Sequence, residues 1–245
     1  MAAERTEARL LVGTAGWSVP SRYAAEVPGP GSHLERYARR LNVVEINSSF
    51  YRPHRLQTYQ RWAAATPEDF WFSVKLPRSI SHERKLRDCG DLLDAFSAQV
   101  LGLGGKLGVL LLQLPPSSPA DVDAAAGFFA ELGARLSAPV AIEPRHRSWF
   151  TPEVDRALAD LGVARVAADP ARAPGADSPA GWRGLDYYRW HGSPRIYFSD
   201  YDEAALASLR TRLDESVSSG ARTWCVFDNT ASGAALGNAL TIARM

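Results

Sequence analysis

Eight short runs rich in aliphatic, β-branched or aromatic residues punctuate this chain from end to end, each closed by polar or Gly/Pro residues. They cover residues 10–13, 43–47, 71–76, 108–114, 140–143, 164–168, 187–190 and 223–227. Helix-like stretches fill most of the intervals. Ser32 with Glu35 makes a capping-box pattern ahead of Leu34, Tyr37, Ala38 and Leu41, while Ser118 precedes Pro119 and Thr151 precedes Pro152. Further helical periods fit residues 56–65, 91–101, 202–216 and 234–243. The strand-like runs are almost continuously apolar, as expected where helices cover both faces of a parallel sheet, so the alternation predicts an α/β fold.

One interval breaks the pattern. Residues 170–184 (PARAPGADSPAGWRG) carry turn signals and no helical period, which predicts an irregular loop replacing or weakening the sixth crossover helix. Eight β/α units in 245 residues suit a TIM-type (β/α)8 barrel, a closed parallel sheet forming one domain over residues 1–245. An open doubly wound sheet is the rival. It usually carries a G-x-G-x-x-G turn after its first strand, a spacing that Gly13-Thr14-Ala15-Gly16-Trp17 lacks.

Composition agrees with a well-cored globular chain: 46% of residues are hydrophobic and 22% charged. A net charge of +1 removes any bulk field that would draw nucleic acid or a membrane surface. Lysine occurs only at positions 75, 85 and 106, so arginine supplies nearly all of the 28 basic residues. Cys89 and Cys225 lie far apart without metal-ligand spacing around them, which argues against a zinc ribbon or a disulfide framework. The polar start of the chain has no apolar segment typical of a secretion signal, and the aliphatic run at 109–112 is far shorter than a membrane span. A cytoplasmic location is expected.

In a β/α barrel the active site lies where the strands end, so the residues at those exits are the candidates for chemistry. They are Glu45 and Asn47; Lys75 and Arg78; Gln113; Glu143, Arg145 and His146; Asp169; Arg189 and His191; and Asp228 with Asn229. Buried charge is costly unless paired, and a mixed-sign ring inside an apolar scaffold reads as a site with mutual compensation. Glu45, Glu143, His146, His191 and Asp169 are the acid-base candidates. Asn47, Lys75, Arg145, Arg189, Gln113 and Asn229 are the substrate-binding ones. Lys75 has three readings: anion ligand, Schiff-base amine or salt-bridge partner. The small polar segment from Asp228 to Asn238 is a candidate phosphate loop ahead of a helix, with ordinary capping as the alternative. No local motif supports a metal, so none is assigned.

Several phrases taken together resemble one family. GTAGW (13–17), VEINSSFYR (44–52), FSVKLPRSISH (72–82), LGVLLLQLPPS (107–117), EPRHRSWF (143–150), RWHG (189–192) and FDNTASGAALGNAL (227–240) are similar to the YecE-like family, domain of unknown function 72. The resemblance implies a TIM-type barrel distantly similar to those of endonuclease IV and xylose isomerase. It implies recurrent polar positions at Glu45, Asn47, Lys75, His82, Gln113, Glu143, Arg145, His146, Asp169, Arg189, His191 and Asn229. Pro144 and Asp228 depart from the family pattern, and the segment after His191 is short, so no substrate is carried over.

The leading expectation is an enzyme using acid-base chemistry on a small anionic substrate, phosphorylated or carboxylated. The alternatives are a nucleic-acid-binding or phosphodiester-processing protein, which the neutral net charge disfavours, and a non-catalytic ligand sensor; glycoside hydrolysis by Glu45 and Glu143 is a fainter one. No cofactor and no oligomeric state is assigned, and no membrane partner is expected.

Overall fold

The computed structural model describes residues 9–245. Its strands are β1 (Leu10–Thr14), β2 (Val43–Ile46), β3 (Trp71–Lys75), β4 (Leu107–Gln113), β5 (Val140–Glu143), β6 (Val163–Arg165), β7 (Ala167–Asp169), β8 (Ala180–Gly181), β9 (Leu185–Trp190) and β10 (Arg222–Phe227). Its α-helices are α1 (His33–Tyr37), α2 (Leu56–Ala64), α3 (Gly90–Val100), α4 (Val122–Gly133), α5 (Pro152–Asp160), α6 (Glu203–Ser218) and α7 (Ala234–Arg244). None is long and apolar enough to cross a membrane.

The start signals operate as expected in α1 and α5. Ser32 Oγ accepts from the Glu35 amide at 3.3 Å while the Glu35 carboxylate accepts from the Ser32 amide at 2.6 Å, closing the capping box. Thr151 Oγ1 accepts from the Val154 amide, and Pro152 occupies the first turn of α5. The start expected at Ser118 is displaced. Helix α4 begins at Val122 and is capped by Asp121, because residues before it serve another purpose: the Ser118 carbonyl accepts from the buried Trp149 indole at 3.0 Å.

The strands form a mixed α/β fold with two sheets, ordered β1-β10-β9-β7 and β2-β3-β4-β5-β6-β8. Every pairing is parallel except β6 with β8. The hydrogen-bond ladders therefore do not run as one uninterrupted ring, unlike the single closed sheet that the strand count predicts. At one seam, β1 and β2 share a parallel bridge between Ala15 and Glu45, with the Gly16 amide donating to the Glu45 carbonyl at 2.8 Å. The Tyr37 hydroxyl fastens the same seam, accepting from the Thr14 amide at 2.8 Å and donating to the Val43 carbonyl at 2.9 Å.

The other seam falls inside the sixth predicted run. It divides into β6, which pairs with β5, and β7, which pairs with β9. The cause lies in the irregular interval 170–184, which holds no helix, as expected, but returns as β8. Gly181 and Ala180 pair with Ala164 and Arg165, so the edge that β6 would offer to a neighbour is already occupied.

Two interleaved layers of buried side chains follow from the two-residue period of a strand. Val44, Ile46, Phe72, Val74, Leu110, Leu112, Ile142, Tyr188 and Phe227 belong to a large cluster shared with the helices. Leu11, Val43, Val109, Leu111, Ala141, Ala164, Tyr187, Trp224 and Val226 form a second one. Continuing the second set by two residues along each strand reaches Glu45 from Val43, Gln113 from Leu111, Glu143 from Ala141, Arg189 from Tyr187 and Asp228 from Val226. Lys75 continues the same parity from buried Ser73. Strand alternation alone thus sets the polar groups in one tier above an apolar plug.

Candidate functional site

Arg189, fully buried on β9, is the hub of that tier. Its Nε and Nη2 donate to the two oxygens of Glu45 at 2.9 and 2.6 Å, and its Nη1 donates to Glu143 Oε2 at 2.9 Å. Asp228 Oδ2 lies 3.0 Å from Nη2. Three carboxylates from three strand ends converge on one guanidinium, a geometry its planar fork suits and an ammonium would not. Burial works against the charged guanidinium, yet Asp228, Glu45 and Glu143 together push its pKa well above the ordinary arginine value. Arg189 is therefore occupied with organising the three carboxylates.

His191, just past β9, stands between two of the same acids. Its Nδ1 is 3.0 Å from Asp228 Oδ2 and its Nε2 is 2.8 Å from Glu143 Oε1. Arg145 Nη2 approaches that Nε2 at 3.2 Å and Glu143 Oε1 at 2.7 Å. With Nδ1–H held by Asp228, Nε2 either donates to Glu143 or accepts from Arg145; a ring nitrogen poised between an acceptor and a donor is placed to pass a proton. Burial alone would raise the Glu143 carboxyl, but Arg145, His191 and Arg189 reverse this and hold it well below the usual carboxylate range. Asp228 is lowered in the same way, with Arg189 and the His191 hydrogen bond overcoming burial. Strongly ionised, Glu143 could serve in a glycosidase pair only as the carboxylate and not as the acid.

Lys75 is the exception in this balanced cluster. The residue is only 4% exposed at the end of β3; its Nζ lies 4.3 Å from the centroid of the Phe50 ring and makes no hydrogen bond or ion pair among the described residues. Burial, and next the Arg189 charge, lower its pKa to about 8 against the pull of Glu45, Glu143 and Asp228 in the other direction. Glu45, Glu143 and Asp228 make their direct contacts with Arg189, His191 and Arg145 and act on Lys75 only at longer range. Arg145 contributes an unsatisfied donor: its side chain is 7% exposed and its Nε is buried without a partner among the described residues. His82 sits within the field of both, its pKa lowered by burial and then by Lys75, Arg78 and Arg145.

The other expected residues have contacts of their own. His146 caps the short turn that follows β5, its Nδ1 accepting from the Ser148 amide at 3.2 Å and lying 2.8 Å from Ser148 Oγ. Asp169 accepts from the Tyr201 hydroxyl at 2.6 Å, and that hydroxyl accepts from the Gly192 amide, so the acid anchors the loop after His191. Asn229 donates to the Ser199 carbonyl and to Asn238 Oδ1, joining that loop to α7. Helix α7 has no side-chain cap at its start, and Gly233 there faces Pro20 and Arg22. Gln113 pairs in register with Glu143, and Asn47 Oδ1 is buried without a partner near the end of β2.

Tyr187 was not among the expected site residues, although strand parity points to it. Its hydroxyl donates to Glu45 Oε2 at 3.1 Å and lies 3.0 Å from Ser73 Oγ, making the floor on which Glu45 rests. Tyr197 borders the opposite side with its ring edge-on to His191 at 5.9 Å. Beside the site, a hollow of about 400 Å³ is lined by Phe50, Tyr51, Arg78 and Phe96. Among the described residues, no group of three or more His, Cys, Asp or Glu side chains is arranged to hold a metal ion.

Comparison with known proteins places relatives beside this geometry. The family model described as protein of unknown function DUF72 matches residues 11–245. The UPF0759 protein YecE of Escherichia coli K12 is 31% identical over 166 residues, covering 65% of this chain and 59% of that protein. The UPF0759 protein YunF of Bacillus subtilis is 26% identical over 149 residues, covering 58% and 53%. Each match thus spans less than two thirds of the relative. Among solved structures, a DUF72 family protein of Thermotoga maritima aligns with a TM-score of 0.77 and 25% identity over 96% of this chain and 98% of that one. Another from Enterococcus faecalis gives a TM-score of 0.79 at 20% identity over 97% and 96%.

Proposed function

The chain belongs to the DUF72 family, and we propose that this member is an enzyme that binds a small phosphorylated or carboxylated molecule at its strand ends and exchanges a proton with it through His191. One observation carries the reading: Glu45, Glu143 and Asp228 are each in contact with Arg189, His191 or Arg145, while Lys75, which these acids reach only at longer range, has no ion-pair contact of its own among the described residues. A cationic side chain without a direct contact, beside the unsatisfied Nε of Arg145, favours an incoming anion as the partner of both. Lys75 and Arg145 are its ligands in this proposal, Arg189 and Glu45 hold the frame, and Asp228 orients the imidazole whose Nε2 faces the ligand. His146 and Asp169 support loops at the rim.

The same reading takes the two sheets as one eight-stranded TIM-type cylinder in a single domain, supported by the Ala15–Glu45 bridge and by the run of chain from β6 into β7 through Val166. The free, buried thiols of Cys89 and Cys225 favour a reducing compartment such as the cytoplasm.

Thermal-shift and calorimetric titration with inorganic phosphate, sulfate and small sugar phosphates tests the proposal. A ligand present at about a hundred times its Kd stabilises by about 2.7 kcal/mol, on the order of 5–10 °C for a chain of this size. The rise is expected in the native protein, is abolished in Lys75→Met and Arg145→Met, and fades above about pH 8 as the ammonium loses its proton. A melting temperature unmoved by every anion overturns it. Salt-dependent capture of an oligonucleotide without response to small anions would favour the nucleic-acid alternative.

A further inference from the structure

We propose that Lys75 is a covalent nucleophile: its amine condenses with a small aldehyde or ketone that carries the anionic group, forming an imine at the strand ends. This deepens the anion-binding reading above and rests on it.

Four features of the structure converge on Lys75. The side chain is only 4% exposed and its amine is held over the Phe50 face, with no carboxylate in ion-pair contact among the described residues to fix it as an ammonium. Such a desolvated amine near another cation, here Arg189, is the environment that activates a lysine toward carbonyl carbon. The buried, unsatisfied Nε of Arg145 offers a donor for the anionic end of the same molecule. His191 Nε2, beside Glu143, supplies the proton movements that carbonyl addition requires.

The step balances without a redox partner. The Nζ lone pair forms the C–N bond as the carbonyl π pair moves to oxygen, which takes a proton from the His191 side. The nitrogen releases a proton, its lone pair forms C=N, and the oxygen departs as water after a second protonation. Protonated, the imine carries the single positive charge that the ammonium carried, so the balance against Glu45, Glu143 and Asp228 is unchanged. Such a group withdraws electrons from the neighbouring carbon, which opens proton removal or carbon–carbon bond cleavage beside the former carbonyl.

The lysine content makes the test clean. Lys85 is exposed, and Lys106 donates to the Ala63 and Thr66 carbonyls, so both serve as internal controls. The full chain is incubated at about pH 8 with pyruvate or dihydroxyacetone phosphate plus sodium cyanoborohydride, then read by intact mass and peptide mapping. About half of Lys75 is free amine there, against well under a hundredth of a lysine of ordinary basicity, so labelling of Lys75 over Lys85 is expected to exceed about tenfold. The mass gain equals the carbonyl compound less one oxygen, inorganic phosphate suppresses it, and Lys75→Met lacks it. Mapping on the native protein keeps the test valid even if that variant folds poorly.

Labelling shared equally among the lysines, or no gain with either probe, refutes the nucleophile. If phosphate still raises the melting temperature in that case, the anion site stands without it; if phosphate has no effect, both readings fall.

Discussion

Replacing Lys75 with methionine is expected to stabilise the protein at neutral pH. A lysine in water holds its proton up to about 10.5, and burial beside Arg189 brings Lys75 down to about 8. At about 1.4 kcal/mol for each tenfold change in proton affinity, keeping the ammonium buried costs about 3 kcal/mol of folding stability. Methionine fills similar space without that charge, so Lys75→Met should raise the melting temperature by on the order of 5–10 °C at about pH 7. The sign of the pH dependence is fixed by linkage. Below pH 8 the folded and unfolded chains both hold this proton and the penalty is complete; between about 8 and 10.5 the unfolded chain binds more, so native stability rises with pH. The gap between variant and native protein should therefore shrink toward about pH 10. Differential scanning calorimetry of both proteins at the two pH values measures it. A variant that melts no higher than native at neutral pH, or a gap that does not change with pH, would falsify the argument that desolvation sets the state of Lys75.

Arg189→Met removes the guanidinium from among Glu45, Glu143 and Asp228 and strands their charge, a loss of about 3–5 kcal/mol that chemical denaturation would record. In acid, the native protein should lose the stability contributed by Glu143 and Asp228 as pH falls below their ordinary values of 4.5 and 3.8 toward their lowered folded ones. Urea melts across that window should show a smaller slope for Glu143→Gln; an equal slope would disprove its part. Gly13→Ala sets a Cβ only 2.1 Å from the Val43 carbonyl oxygen, so the β1–β2 seam must part, and a loss of about 2 kcal/mol or more is expected by thermal melting. A neutral result there would mean that the seam is looser than its hydrogen bonds indicate.

The strand runs and most helix starts were legible because local signals govern them: apolar continuity, a capping box at Ser32, a proline after Thr151. The division of the sixth run was not, since it arises from the pairing of Gly181 with Ala164, a contact seventeen residues apart that leaves no periodic trace. Strand ends identified Glu45, Lys75, Glu143, Arg189 and His191 correctly as neighbours in space. They did not show which charges cancel. A guanidinium at a strand exit suits an anion, and in the fold Arg189 meets three carboxylates. His146 and Asp169 also stand at strand exits, where they meet Ser148 and Tyr201. The alternation that runs from Val43 to Glu45 and from Tyr187 to Arg189 was present in the sequence and would have named Tyr187 as well.

The apolar tier of Val43, Leu111, Ala141, Tyr187, Trp224 and Val226 has a consequence for proton traffic. The side chains below the charged ring are mostly apolar, and Tyr187 resists ionisation, its pKa driven well above 10.0 by burial and by Glu45. On the proposed reading, hydrogen ions would then come and go by the route that admits the ligand, and with the ligand seated turnover would have to redistribute the protons already inside.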